Sequence, residues 1–84
     1  MKYIKKPVEI EAYRVSNKDI IDSPTWVIDA IDRGVVSLND TFYTIKTLEG
    51  TMTGRYGSWL IRGVKGELYS CTDEIFQQTY DEVP

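Results

Sequence analysis

The chain has 84 residues, 42% of them apolar, a formal net charge of -3 and no histidine, which limits it to one domain with a modest core. Without histidine there is no Ser-His-Asp or Cys-His catalysis and no histidine-ligated metal. The single cysteine, Cys71, can form neither an internal disulfide nor a thiolate zinc cage. We therefore expect a single domain over residues 1–84 that is not an enzyme and uses no metal or cofactor.

The same sequence favours a reducing cytosol over a membrane or secreted location. No run of eighteen apolar residues is present, so no membrane partner is expected. The first residues lack the apolar region and small-residue cleavage site of a signal peptide.

Charge is distributed unevenly along the chain. Residues 1–66 contain all ten basic residues and eight acidic ones, whereas residues 67–84 contain five acidic residues and no basic one. A protein that binds duplex DNA or RNA normally presents a dominant basic face, so we expect no duplex nucleic acid as partner. A small anionic ligand is not excluded. The simpler interpretation of the acidic end is a solvated, solubilising surface.

The first predicted element is a half-buried strand over residues 8–15. Apolar and polar residues alternate there, which places three apolar side chains on one face: Val8, Ile10 and Ala12. Arg14 continues that parity. Its guanidinium therefore either snorkels to water or closes a ligand pocket at the edge of the core face.

The next element is a helix over about residues 24–33. Ser23 is suited to the N-cap, Pro24 to the first helical position and Gly34 to a left-handed end. The apolar stripe of this helix consists of Trp26, Val27, Ala30 and Ile31. We expect it to lie on a sheet.

Strands dominate the rest of the chain. Two hairpins are predicted, 41–48 with 51–53 and 58–62 with 67–71, after a short strand at 35–38. Thr72 caps a helical turn at about 73–78, and residues 79–83 return as a last strand or edge segment. The predicted fold class is α+β: a small, strongly bent antiparallel sheet of about five to six strands, with one helix and a short C-terminal helical turn.

A glycine-rich basic stretch, residues 50–66, carries the main binding hypothesis. It holds five of the six glycines and no acidic residue. Backbone donors, cationic side chains and aromatic rings suit an anionic or nucleotide-like ligand. The candidate ligand-binding residues are Arg14, Arg55, Tyr56, Ser58, Arg62 and Lys65.

The alternative interpretation is that these glycines only turn two hairpins. Trp59 and Ile61 would then point into the core, and the outward side chains would be Ser58, Leu60 and Arg62. Neither a P-loop nor a dinucleotide-binding fingerprint is present.

The sequence gives less support to two other kinds of site, a carboxylate-based hydrolase and a reactive cysteine. The carboxylate pairs Glu9/Glu11 and Asp29/Asp32 are predicted to face solvent, which does not suit a hydrolase. Cys71 precedes a helix N-terminus, which can lower a thiol pKa, but packing as a small hydrophobe is the expected role.

Nearly the whole chain resembles a family of short phage and prophage proteins. The resemblance rests on residues 5–12, 45–52 and above all 57–71, with Phe76 and Tyr80. Family members usually carry a Pro-Gly-Asp-aromatic turn and end in a Phe-x-x-x-Tyr stretch. The corresponding turn here is Tyr56-Gly57-Ser58-Trp59, in which tyrosine replaces the proline and serine the aspartate, and Ser70 replaces a second proline.

This resemblance implies a phage setting and action inside the cytoplasm of a bacterial host. The first hypothesis is a non-enzymatic binding protein that counteracts host defence by sequestering a small nucleotide-derived signal, in a pocket that a homo-oligomer could complete. The second is a protein–protein inhibitor of the anti-CRISPR or anti-restriction type, which binds a host defence protein through an acidic surface or a strand edge.

Overall fold

The computed structural model describes residues 1–3, 8–20 and 22–83. Within these ranges the chain forms six strands and two helices. In chain order they are β1 (Glu11–Arg14), α1 (Thr25–Asp32), β2 (Val36–Leu38), β3 (Phe42–Thr47), β4 (Gly50–Arg55), β5 (Trp59–Arg62), β6 (Leu68–Cys71) and α2 (Asp73–Thr79). The α+β class and the strand number agree with the prediction.

The strands form two three-stranded antiparallel sheets, in the orders β1-β5-β6 and β2-β3-β4. The prediction of one bent sheet is wrong in this respect. The edges of β4 and β6 do meet, but Ser70 N–H donates to the sulfur of Met52 at 3.1 Å. A side chain accepts this backbone donor, and among the described strands no backbone ladder joins β4 to β6.

Helix α1 agrees with the predicted helix to within one residue at each end, but its cap differs. Ser23 is not the N-cap: its hydroxyl donates to the carbonyl of Ile20 at 2.6 Å. The extended residue Pro24 occupies the cap position instead. Gly34 follows the helix with φ of 75°, the left-handed conformation that its sequence position predicts.

The C-terminal element is a helix of seven residues, longer than the predicted helical turn. Thr72 is its N-cap, as predicted, and accepts from Ile75 N–H at 3.4 Å. The predicted last strand over residues 79–83 is wrong, because Thr79 belongs to α2 and residues 80–83 pair with no strand. Helix α2 packs on the sheet face of Trp59, whose ring stacks on that of Phe76.

The main core lies between the two sheets and α1. Its buried residues are Val15, Val27, Ala30, Val36, Tyr43, Ile45 and Leu60. Ile61 is also fully buried, although it is the strand neighbour of Leu60 and points to the other face. Strand β5 is therefore buried on both faces. The interpretation that Ser58 and Leu60 face outward is wrong, since their exposed fractions are 7% and 0%.

None of the helices within the described ranges has the length and apolar character needed to cross a membrane.

Candidate functional site

The sheet β1-β5-β6 has two faces, and the pairing register assigns the predicted site residues to them. Glu11 pairs with Arg62, and Arg14 pairs with Trp59. Paired residues share a face, whereas successive residues of a strand alternate. Leu60 and Arg62 therefore lie on one face, called here the α1 face, and Trp59 and Arg14 lie on the opposite α2 face. The structure does not bring Arg14 and Arg62 together.

Arg14 connects three segments of the chain: β1, the turn before β5 and helix α2. Its Nε donates to the carbonyl of Gly57 at 3.0 Å. One terminal nitrogen lies 3.5 Å from a carboxylate oxygen of Asp73, the first residue of α2. Both contacts hold the end of β1 against its neighbours, and they engage the guanidinium within the protein.

The turn between β4 and β5 directs its polar side chains inward. The hydroxyl of Tyr56 donates to the carbonyl of Asn39 at 2.5 Å. Ser58 Oγ donates to the carbonyl of Arg55 at 2.5 Å and shares a 2.6 Å hydrogen bond with the hydroxyl of Tyr43. Tyr56 and Ser58 thus have partners within the fold, while the Arg55 side chain is exposed at the end of β4.

The hydroxyl of Tyr43 links the two sheets. It also lies 2.9 Å from Ser70 Oγ, so it joins β3 to Ser58 before β5 and to β6. A Cβ at Gly54 would lie 2.3 Å from Tyr43 Cζ. Only glycine allows β4 to approach this ring so closely.

Lys65 lies in the turn between β5 and β6, with its backbone fixed and its side chain exposed. Its N–H donates to a carboxylate oxygen of Glu67 at 3.0 Å. Gly66 follows with φ of 82°, which the turn requires. This turn forms one wall of a cleft on the α1 face.

The cleft has a volume of about 730 Å³ and lies between α1 and the β5–β6 hairpin. It is lined by Thr25, Trp26, Asp29, Arg33, Arg62, Gly66 and Leu68. Of the six predicted ligand-binding residues, Arg62 is the one that lines it.

Two arginines give this cleft its charge. Arg33 Nε lies 2.9 Å from Asp29 one helical turn earlier, and Arg62 lies 3.7 Å from Glu11 across the sheet. The side chains of Arg33 and Arg62 are 63% and 43% exposed. A guanidinium has five N–H donors, so an ion pair through one nitrogen leaves donors for an anionic ligand.

Sequence reasoning missed the contribution of α1 to this site. The sequence analysis places Trp26 in the apolar stripe of the helix and does not identify Arg33 as a candidate. A spacing of seven residues places the two side chains on one side of a helix. That spacing was the available signal, but it does not reveal which sheet face the helix covers.

Cys71, at the end of β6, is partly buried. Burial raises the pKa of the Cys71 thiol, which is opposite to the lowering that a helix N-terminus can produce. In the described ranges, no group of three or more Cys, Asp and Glu side chains is placed to hold a metal ion.

Comparisons of the chain with protein-family models, with curated proteins and with solved structures find no significant match. The resemblance to phage proteins stays a prediction, and the functional argument rests on the geometry of the cleft.

Proposed function

We propose that the chain is a phage-encoded, non-enzymatic binding protein that counteracts host defence by sequestering a small nucleotide-derived anion in the α1 cleft. The observation that supports the binding role is the presence of two solvated guanidiniums, Arg33 and Arg62, in a concavity that also contains the Trp26 side chain. The phage setting derives from the sequence resemblance.

Each part of such a ligand has a matching group in the cleft. Phosphate oxygens accept paired hydrogen bonds from the planar guanidiniums of Arg33 and Arg62. A base stacks on the indole of Trp26, since every base has a π-face. Thr25 also lines the cleft, where its hydroxyl would meet a ribose. A volume of about 730 Å³ is within the range of small-molecule sites.

The balance of charge in the cleft favours anions of low charge. Its lining carries two cationic side chains, Arg33 and Arg62, and one carboxylate, Asp29. Hydrogen bonds to charged groups contribute about 1.5 to 3 kcal/mol each, and base stacking about 1 to 3 kcal/mol. After the entropic cost of binding, we expect dissociation constants in the micromolar range.

Isothermal titration calorimetry tests this proposal. The ligands are ADP-ribose, cyclic ADP-ribose and cyclic mononucleotides, with adenosine as the uncharged control. We expect binding of at least one phosphate-bearing ligand and none of adenosine. Arg33→Ala and Arg62→Ala should each weaken binding by about 10- to 150-fold, from the loss of about 1.5 to 3 kcal/mol.

Arg55→Ala is the matched control, because Arg55 is an exposed arginine at the end of β4 that does not line the cleft. The affinity of the Arg55→Ala variant for the phosphate-bearing ligand should equal that of the unmodified chain. Absence of heat with every ligand, or an equal loss in the Arg55 variant, contradicts the proposal. Sedimentation with and without ligand tests the further expectation that a homo-oligomer completes the site.

The second candidate function is inhibition of a host protein through an acidic surface or a strand edge. It is supported by exposed carboxylates on and after α2, at Glu74, Asp81 and Glu82. Pull-down from infected cells at low and high salt tests it: a partner retained at low salt and released at high salt supports it, and recovery of no partner contradicts it.

A further inference from the structure

A second concavity lies on the α2 face of the sheet β1-β5-β6. Its volume is about 880 Å³, and it runs between the segment leading into β1 and helix α2 with the residues that follow it. It is called the α2 groove here, and it is lined by Val8, Glu9, Ile10, Ala12, Trp59, Phe76, Gln77, Tyr80, Asp81, Glu82 and Val83. The apolar stripe predicted for the first strand therefore faces this groove.

Aromatic rings form one side of the α2 groove. The rings of Trp59 and Phe76 stack with centroids 4.0 Å apart and planes inclined by 9°, and Tyr80 lies 5.1 Å from Phe76. The indole N–H of Trp59 donates to Asp73 at 2.9 Å, and the hydroxyls of Tyr69 and Tyr80 are 3.2 Å apart. These contacts fix the rings before any partner binds.

The polar part of the groove is acidic. Glu9, Asp81 and Glu82 contribute three exposed carboxylates, and no lysine or arginine is among its lining residues in the described ranges. Cations bind favourably to aromatic faces and to carboxylates. Beside the groove, Arg14 already forms an ion pair with a carboxylate, that of Asp73.

We propose that the α2 groove is a docking site for an extended, arginine-bearing segment of a partner protein. The aliphatic stem and guanidinium of an arginine lie against the ring of Trp59 or Tyr80, and the charge is balanced by Asp81 and Glu82. The apolar side chains of Val8 and Ile10 contact the neighbouring residues of the segment. This site has the opposite charge preference from the α1 cleft and does not depend on it.

An NMR titration tests the proposal with the capped peptide Gly-Arg-Gly-Arg-Gly. The side-chain N–H signal of Trp59 reports on the groove, and that of Trp26 reports on the cleft. We expect a saturable shift of the Trp59 signal and none of the Trp26 signal. Asp81→Asn and Glu82→Gln should each weaken binding by about twofold to fivefold, the range of exposed ion pairs.

Glu49→Gln is the matched control, since it removes one exposed carboxylate, in the turn between β3 and β4, that does not line the groove. It should leave the affinity within the error of the titration. Equal binding of capped Gly-Leu-Gly-Leu-Gly contradicts a charge-selective site. A Trp59 shift that depends on protein concentration without peptide identifies a second copy as the occupant and overturns the proposal, as does the absence of any shift.

Discussion

The two faces of the sheet β1-β5-β6 carry concavities of similar size and opposite charge. The cleft on the α1 face contains Trp26 with Arg33 and Arg62, and the groove on the α2 face contains Trp59 with acidic residues. Both depend on β5, whose successive side chains point to alternate faces. A strand of four residues therefore separates the proposed anion site from the proposed cation site, because a helix packs near each face.

The two sites also differ in how their charged groups are held. The cleft arginines form ion pairs on exposed side chains, which leaves donors accessible. Beside the groove, Asp73 accepts from Trp59 and from Gln77. These hydrogen bonds, first that of Trp59, lower the pKa of the Asp73 carboxyl, with a smaller contribution from Arg14. The carboxylate of Asp73 is thus an anchor of α2, whereas the cleft arginines are available to a ligand.

The largest expected effect on stability comes from truncating buried side chains of β5, the strand that the two sites share. Leu60→Ala and Ile61→Ala should each lower the free energy of unfolding by about 2 to 5 kcal/mol, because both side chains are fully buried. Chemical denaturation measures this loss. Leu48→Ala is the control, since Leu48 is fully exposed and should change stability by less than about 0.5 kcal/mol. Tolerance of either β5 substitution would contradict burial on both faces.

Loss of the Tyr43 hydroxyl should lower the stability of the fold that carries both sites. Tyr43→Phe leaves the buried Ser58 hydroxyl with one partner fewer and removes the bridge to Ser70. We expect a loss of about 1 to 3 kcal/mol in the free energy of unfolding. Tyr3→Phe, at a side chain that is 86% exposed, should have no measurable effect. Equal stability of the two variants would show that the hydroxyl bridge contributes nothing.

A substitution at Trp59 separates the two sites. Trp59→Phe keeps a ring beside Phe76 but removes the N–H that donates to Asp73. We expect a loss of about 1 kcal/mol in stability and an affinity for ADP-ribose unchanged within about twofold. Denaturation and calorimetry measure the two quantities. A large fall in ADP-ribose affinity would mean that the anion site extends to the α2 face.

The smallest effect is expected from the charge of Asp73, and it should depend on pH. The folded state lowers the pKa of the Asp73 carboxyl below its ordinary value of 3.8. Ionisation of Asp73 therefore stabilises the fold above that pH, and this contribution is lost as pH falls through the pKa of the folded state. Asp73→Asn should therefore be less stable than the unmodified chain near neutral pH. The difference should shrink below about pH 4. Urea denaturation of the two proteins near neutral pH and below about pH 4 measures this difference in stability. A difference that does not change with pH would contradict the expectation.

Local signals in the sequence predicted much of the fold. Gly34 ends α1, Thr72 caps α2, and both predicted hairpins are present as the pairs β3–β4 and β5–β6. Each depends on residues close together in sequence. The two-sided burial of β5 could not be predicted in this way, since it requires knowing that α1 and the sheet β2-β3-β4 pack on the Leu60 face. Alternation along a strand distinguishes faces only when one of them is exposed.

The candidate site was predicted only in part, because it also depends on how distant parts of the chain pack together. Arg14, Arg55 and Arg62 are all basic residues near strand ends, and their positions in sequence do not distinguish them. Pairing register places Arg14 and Arg62 on opposite faces, and Arg55 belongs to the other sheet. The partners of Arg62 in the cleft, Trp26 and Arg33, come from a helix about thirty residues earlier. Their proximity results from tertiary packing.

The most direct test of the account is an NMR titration of the ¹⁵N-labelled protein with ADP-ribose, cyclic ADP-ribose and cyclic mononucleotides in turn, read at the two tryptophan side-chain N–H signals. Trp26 lines the cationic cleft, and Trp59 lines the acidic groove. The account predicts a saturable shift of the Trp26 signal, no shift of the Trp59 signal, and loss of the response in Arg62→Ala. A shift of Trp59 alone, or no shift of either signal at millimolar ligand, would contradict it.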